Sequence, residues 1–308
     1  SGGVFGPVAV GRNFRRLLDA HPVYLDPVSS LAGADMVNFF AYRKVHWNPD
    51  VSYDHLKADQ EKYRLMHGIG GVQHFGQDLA IGLELGWGGL LAKIRTFRAI
   101  NTGPRQAAFS DGLEQVVLGL QDWIRRHADR AEELARTERR PGLAENLREV
   151  AAINRRLVDE PPATFREACQ WVLWHLLAAR MFDGSGSVGR LDDVLRPFYE
   201  RDRAAGVLDD EEAVFHLASL LVRDTGYQQL GGYDADGRDD TSAVSFLILD
   251  AVDRLKIPAN VGVAVGKGVD RRLLARGVAM QFANRNGNPK FLGVDRTAEG
   301  FARNGYPL

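Results

Sequence analysis

Residues 161–202, PPATFREACQWVLWHLLAARMFDGSGSVGRLDDVLRPFYERD, decide how the rest of the chain is read. Pro161-Pro162 stands at a helix start, where a missing backbone donor does no harm. From there Phe165, Cys169, Val172, Leu176 and Ala179 recur at spacings of three and four. Trp171, Leu173 and Trp174 occupy the other faces, so this helix is expected to be buried nearly all round. Residues 184–189, GSGSVG, match G-x-G-x-x-G letter for letter. A dinucleotide site needs a strand before those glycines and a helix opening at them. Here a long helix precedes them and Pro197 interrupts the next segment, so they read as a tight helix-to-helix connection.

Upstream, residues 78–97 (DLAIGLELGWGGLLAKIRTF) read as a helix despite glycines at 82, 86, 88 and 89. Each such glycine weakens a helix by about 1 kcal/mol relative to alanine, so another backbone is expected to lie close against it. Asp111 with Glu114 reads as a capping box opening a helix to about Arg139, where Pro141-Gly142 breaks it, and a shorter helix covers 143–157. Downstream, Asp209 with Glu212 opens a helix to about Arg223, and Asp240-Thr241-Ser242 opens another to about Leu255. Residues 260–265 (NVGVAV) are the best strand candidate and 289–293 a second. Between them Asp270 caps a helix to about Asn284, and Asp295 is expected to cap the last one. Residues 1–60, with prolines at 7, 22, 27 and 49, are expected to be an irregular lead-in. The class is α/β, helix-dominated, with a few short buried strands in one domain over 1–308.

Composition narrows the function classes. The chain has 308 residues, 45% hydrophobic and 26% charged, enough for a large core. A net charge of −1 provides no field for nucleic acid or an anionic membrane, and no run of eighteen apolar residues appears. With no signal-peptide pattern, a cytoplasmic location is the default. The single cysteine, Cys169, excludes an internal disulfide framework and a Cys-rich zinc site, and its apolar helix marks it as buried rather than nucleophilic. The eight histidines show no metal-binding spacing, so no metal is expected. His127 and His216 read as surface or satisfied core residues, whereas His74, in GVQHFGQD just before the Gly-rich helix, stands out. Residues 262–268 (GVAVGKG) fall one residue short of a P-loop, and Asp234, Asp236 and Gly237 read as a turn rather than a calcium loop. Spacing alone discloses no chemistry.

Four segments, in order, resemble the pyruvate formate-lyase-like domain of glycyl radical enzymes. His74 and Asp78 with Gly86 and Gly89 are similar to the family's Gly-His-x-x-x-Asp…Gly-x-x-Gly-Leu helix start. Residues 161–175 resemble its Pro-x-Thr-Phe-x-Glu-Ala helix, and 183–202 its Ser-x-Ser-x-Gly-Arg-[Phe/Leu]-Asp segment. Residues 228–241 (QQLGGYDADGRDDT) resemble its Leu-Gly-Gly-x-x-x-x-Gly-x-Asp-x-Thr segment, with the expected helix after it at 245–251. The likeness covers about 70–255 and continues more weakly to Leu308.

The resemblance implies the helix-rich front half of a ten-stranded barrel. It also implies an anaerobic radical lyase or dehydratase of a small polar molecule, with the dehydratase branch favoured. An activating enzyme using S-adenosylmethionine and an iron–sulfur cluster installs a glycyl radical, which passes to a cysteine. Neither the cysteine loop nor the glycine loop occurs in these residues, so the chain alone is expected to bind no cofactor and to be inactive. The missing part is expected on a truncated or separate chain. A scaffold that kept half the fold is the alternative. By resemblance His74, Ser185 and Ser187 are substrate-binding residues, and Asp78, Arg190 and Asp192 are structural or substrate-contacting. Gly184 stands where the family often has a larger polar residue, which leaves the substrate open. An incomplete barrel has an unpaired sheet edge, so self-association or a complementing chain is expected, with 260–265 beside 289–293 and His74 and Ser185 facing one concavity.

Overall fold

The computed structural model describes residues 5–34, 54–64, 76–183 and 187–306. Helices α1 (Pro7–Ala20), α2 (Lys57–Tyr63), α3 (Leu79–Ile100), α4 (Pro104–Thr137), α5 (Pro141–Leu157) and α6 (Phe165–Asp183) form the first part. The second part alternates: β1 (Ser187–Gly189), α7 (Leu191–Ala204), α8 (Asp210–Leu221), β2 (Tyr227–Leu230), α9 (Ala243–Leu255), β3 (Val261–Val265), α10 (Arg271–Asn284), β4 (Lys290–Gly293) and α11 (Val294–Arg303). The strands form one parallel sheet in the order β1-β2-β3-β4. Helical crossovers between successive strands are the connections that parallel pairing requires. The expected strands at 260–265 and 289–293 do lie side by side, with Val263 opposite Phe291.

Helix α6 is the axis of the core. Phe165, Ala168, Cys169, Trp171, Val172, Leu173, Trp174, Leu176, Leu177 and Met181 are all buried, so no face of it meets water over most of its length. Burial pushes the Cys169 thiol well above its ordinary pKa, which leaves it an inert core residue. The rings of Trp123 and Trp174 meet edge to face at 4.8 Å, and the Trp174 indole donates to Asn154 Oδ1 at 2.7 Å. His127 is wholly buried: its Nδ1 lies 2.8 Å from the Trp123 carbonyl, and its Nε2 accepts from the Tyr24 amide at 3.1 Å. That pairing fixes the neutral tautomer, and burial pushes its pKa down to about 4.

The glycines of α3 do what their density requires. A Cβ at Gly82 would overlap the Trp171 ring, and one at Gly86 would stand 2.5 Å from the backbone of Glu160 and Pro161. Gly86 also has φ 64, ψ 178, which breaks the helical path and is open only to glycine. The Gly88 amide then donates to the Asp159 carbonyl at 2.9 Å. Close backbone approach thus seats α3 against the α5–α6 connection and the indole of α6.

Four sequence readings are corrected. Residues 1–60 are not irregular throughout, because Pro7 stands at the first turn of α1 rather than breaking it. The helix read from Asp111 begins at Pro104, again with proline in the first turn, so Asp111 and Glu114 lie inside α4 and form no capping box. They bind Arg98 and Arg95 of α3, each at 2.8 Å. Asp295 lies in the first turn of α11 rather than at its cap, and accepts from the Tyr233 hydroxyl at 2.7 Å and the Lys267 amide at 2.9 Å. The capping box of Asp209 and Glu212, the Ser242 start of α9 and the Asp270 cap are as read. The 184–189 segment comes after helix α6, as expected, but residues 187–189 are a strand, not a plain connection.

Asp192 ties the sheet to its helices. The side chain has no exposed surface, and four donors reach it. Asp193 N and Arg190 Nε reach one oxygen at 3.0 and 3.2 Å, and Gly231 N and Ser245 Oγ reach the other at 2.7 and 2.6 Å. Burial pushes its carboxyl above the ordinary carboxylate range, against the pull of Arg190 and the other donors. Arg190 also bonds Asp240 at 2.7 Å, and Arg196 bonds Asp240 at 2.5 Å.

This packing sets the response to substitution and to pH. Gly86→Ala loses about 2 kcal/mol or more in urea unfolding. Gly142→Ala, in α5 where a Cβ meets nothing within 4 Å, is neutral or stabilising. Asp192→Ala loses about 3–5 kcal/mol, because the buried donors Gly231 N and Ser245 Oγ lose their acceptor and Arg190 keeps only Asp240. Asp78→Ala loses only about 1 kcal/mol, the worth of its cap on Ala80 N. His127 has a folded pKa below the unfolded value of 6.5, so its contribution to stability is full above about pH 6.5 and falls progressively towards about pH 4. His175, pushed down to about 4 by burial, and His216, to about 3, act in the same direction. The melting temperature therefore drops across that interval, and less steeply in His127→Gln.

Candidate functional site

The period of a β-strand divides the sheet into two faces. Val188, Leu230, Val261 and Val263 are buried among the helices. On the other face, Ser187, Gly189, Tyr227, Gln229, Gly262 and Leu292 line an open concavity of about 510 Å3, with Arg190, Asn260 and Lys290 at its rim. The register sets Ser187 opposite Tyr227 and Gly262 opposite Lys290, so these groups converge at the N-terminal ends of the strands. The Ser187 hydroxyl donates to the Tyr227 carbonyl at 3.1 Å, which leaves its oxygen free to accept. Lys290 donates to Asn260 Oδ1 at 3.3 Å and lies 5.2 Å from the Tyr227 ring centroid. Its side chain therefore reaches from β4 past Asn260, just before β3, towards β2, while Leu292 covers Gly262.

Beyond β1, Gly76 forms a parallel bridge with Ser187. The approach depends on two glycines: a Cβ at Gly76 would stand 3.2 Å from Gly189 Cα, and Gly189 has φ +71. This is the physical role of the last glycine in the 184–189 motif. Turn residues Gly231 and Gly232 end β2, and the Asp234 carboxylate accepts from the amides of Asp236 and Arg238 at 2.9 and 2.8 Å. The Asp234–Arg238 segment is a turn, as its sequence suggests.

Of the expected site residues, Ser187 lies on the open face. Arg190 and Asp192 form the ion-pair network behind it, with Arg190 reaching the rim. Asp78 caps α3 beside the Gly76 bridge. His74 and Ser185 lie outside the described residues. Sequence reading did not find Tyr227, Gln229, Asn260 or Lys290. Their convergence depends on the register of three parallel pairs, and no fixed spacing along the chain encodes that. The one available signal was the expected pairing of 260–265 with 289–293, which puts Lys290 beside Gly262.

Comparison with known proteins agrees with this fold. The family described as pyruvate formate lyase-like matches residues 63–308. The 4-hydroxyphenylacetate decarboxylase glycyl radical subunit of Clostridium scatologenes is 26% identical over 178 residues, 51% of this chain and 20% of that protein. Trans-4-hydroxy-L-proline dehydratase of Clostridioides difficile is 27% identical over 208 residues, 58% of this chain and 25% of that protein. A solved structure concerned with 1,2-propanediol dehydration in Roseburia inulinivorans superimposes with a TM-score of 0.83 at 18% identity, covering 98% of this chain and 47% of that one. The chain thus spans less than half the length of each of these proteins, and the likeness extends through all the described elements. With a parallel sheet wrapped by helices and a family match over most of its length, the chain belongs to the pyruvate formate lyase-like family, whose relatives here are glycyl radical enzymes.

Proposed function

We propose that this chain supplies one wall of the substrate site of a radical lyase or dehydratase acting on a small hydroxylated molecule. The observation that supports this reading is the parallel bridge of Gly76 with Ser187 at the open face. Parallel pairing keeps residues equally far back on two strands abreast. His74 and Ser185, each two positions before a bridge partner, are therefore proposed to face one ligand. The named relatives act on 4-hydroxyphenylacetate and trans-4-hydroxy-L-proline, and a hydroxylated substrate is proposed here on their likeness.

In this reading His74, in its protonated form, gives a proton to the departing hydroxyl. The carbon–oxygen bond breaks with its electron pair on oxygen, a new O–H bond forms and water leaves; the positive charge left on the substrate radical is lost as a proton to a base or solvent, and the abstracted hydrogen atom would return to the product radical. The hydroxyl of Ser185 orients that group, and Ser187, whose proton is held by the Tyr227 carbonyl, accepts from it. A glycyl radical passed through a cysteine thiyl would supply hydrogen abstraction at the substrate carbon. Cys169 is enclosed in α6, so both radical residues are proposed to lie on polypeptide outside these 308 residues, charged by an S-adenosylmethionine-dependent activating enzyme. The same polypeptide, continuous or separate, is proposed to cover the β4 edge. Phe282, Leu292, Phe301 and Tyr306 are exposed on or after α10 there, Phe282 by 80%.

Two measurements test the reading. The chain alone, incubated anaerobically with an activating enzyme and S-adenosylmethionine, gives no glycyl doublet by electron spin resonance, and a doublet on any of its 33 glycines would contradict it. In the enzyme completed by its remaining half, His74→Ala lowers kcat/KM by about 10^2–10^4 with the doublet amplitude unchanged. Undiminished turnover would remove His74 from the mechanism.

A further inference from the structure

We propose that the open face of the sheet selects an organic anion, and that Lys290 is the residue that reads its charge. This rests on the reading of that face as the substrate site and narrows the substrate to a small hydroxylated carboxylate or sulfonate.

The inference comes from the cavity's charge pattern. Its lining residues include two cations, Arg190 and Lys290, together with Ser187, Tyr227, Gln229 and Asn260, and, among the described residues, no aspartate or glutamate. The two cations differ. Arg190 is held from behind by Asp192 at 3.2 Å and Asp240 at 2.7 Å, so its charge is offset before it reaches the cavity. Lys290, by contrast, has neutral neighbours there: the Asn260 amide oxygen at 3.3 Å and the Tyr227 ring at 5.2 Å. An ammonium resting on an aromatic face and a neutral amide keeps most of its charge available to a ligand.

Position supports the same assignment. Held by Asn260, the ammonium lies over the ring of Tyr227, the first residue of β2 and the register partner of Ser187. Neighbouring strands are separated by about 4.8 Å. A molecule of a few carbons could therefore place its hydroxyl at the Ser187 side and its acid group against Lys290. A neutral diol would leave the ammonium without a counter-charge, and a cationic substrate would be repelled. Tyr227 and Asn260 orient the lysine rather than contact the reacting atoms, with Asn260 itself anchored to the Thr225 carbonyl at 3.1 Å.

The test uses the 308-residue chain and two probes of matched size, glycolate and ethylene glycol, titrated by nuclear magnetic resonance. Glycolate is expected to bind about two- to fivefold more tightly, the worth of one solvent-accessible ion pair. Added salt weakens glycolate and leaves ethylene glycol unchanged. Lys290→Met removes the preference and Lys290→Arg retains it, each checked for folding by circular dichroism. The salt series on the native chain answers the question even if Lys290→Met does not fold. Equal affinities, no salt effect on glycolate, or a preference that survives Lys290→Met would overturn the proposal. A preference that disappears in Lys290→Met but is untouched in His74→Ala and Ser187→Ala would uphold the charge site and overturn the hydroxyl contacts of the proposed function. Binding of neither probe would overturn both.

Discussion

Everything on the open face depends on one buried carboxylate. Asp192 lies at the start of α7, directly after β1, and collects the amide of Gly231 beyond β2 and the hydroxyl of Ser245 in α9. A charge that far from water is tolerated only when its lone pairs are filled, and here four donors fill them. The result is a fixed separation between the β1–α7 junction, the turn after β2 and the first turn of α9. Pinning those three points sets the register of β1 on β2, and with it the position of Ser187 relative to Tyr227. Arg190 enters the same knot, which explains why a cation at the cavity rim has so little charge to offer a ligand.

The helical layer obeys a different constraint. Helix α6 satisfies its own backbone, so it can be enclosed on every side, and the neighbouring helices need only fit its shape. Where α3 meets it, shape requires the absence of side chains: Gly82 gives way to the Trp171 indole, and Gly86 and Gly88 admit the Asp159–Pro161 backbone. The helical part therefore gains rigidity from close packing, and the sheet gains it from a polar knot. Apolar packing tolerates small adjustments of neighbours, whereas a saturated carboxylate fixes angles as well as distances. That division suits a fold in which helices form the outer shell and polar groups must be aimed inward.

Legibility in the sequence obeys the same division. The α6 pattern, the glycine-dense α3 and the Asp209–Glu212 box are local signals, and each was readable because its cause lies within a few residues. Proline misled at Pro7, where it begins a helix instead of interrupting one, and the apparent Asp111–Glu114 box placed the start of α4 seven residues too late. Strands β1 and β2 escaped notice because they are three and four residues long and carry serine, glycine and glutamine in place of an apolar run. Their stability comes from parallel neighbours and from Asp192, which are distant in sequence. Only family resemblance pointed to Ser187, and Lys290, 103 positions later by numbering, was signalled only by the expected pairing of 260–265 with 289–293, because the two meet through register.

The direction of the site is itself informative. Ligands of open parallel sheets usually gather at the carboxyl ends of strands, where the loops diverge. Here the polar groups of the open face lie at the opposite, N-terminal ends: Ser187 and Lys290 begin their strands, and Asn260 immediately precedes β3. A sheet that buries only one face among helices can present side chains from its open face directly, without delivering them on loops. Side chains on strands are held by the hydrogen-bonded ladder, on both sides in β2 and β3 and on one side in β4, so they move less than loop residues and can hold a reacting molecule at a set distance. Chemistry that must keep a reactive intermediate from straying gains from that stiffness. The glycine pair Gly76 and Gly189 serves the same end, bringing the next segment of backbone close enough to extend the wall by one more strand position.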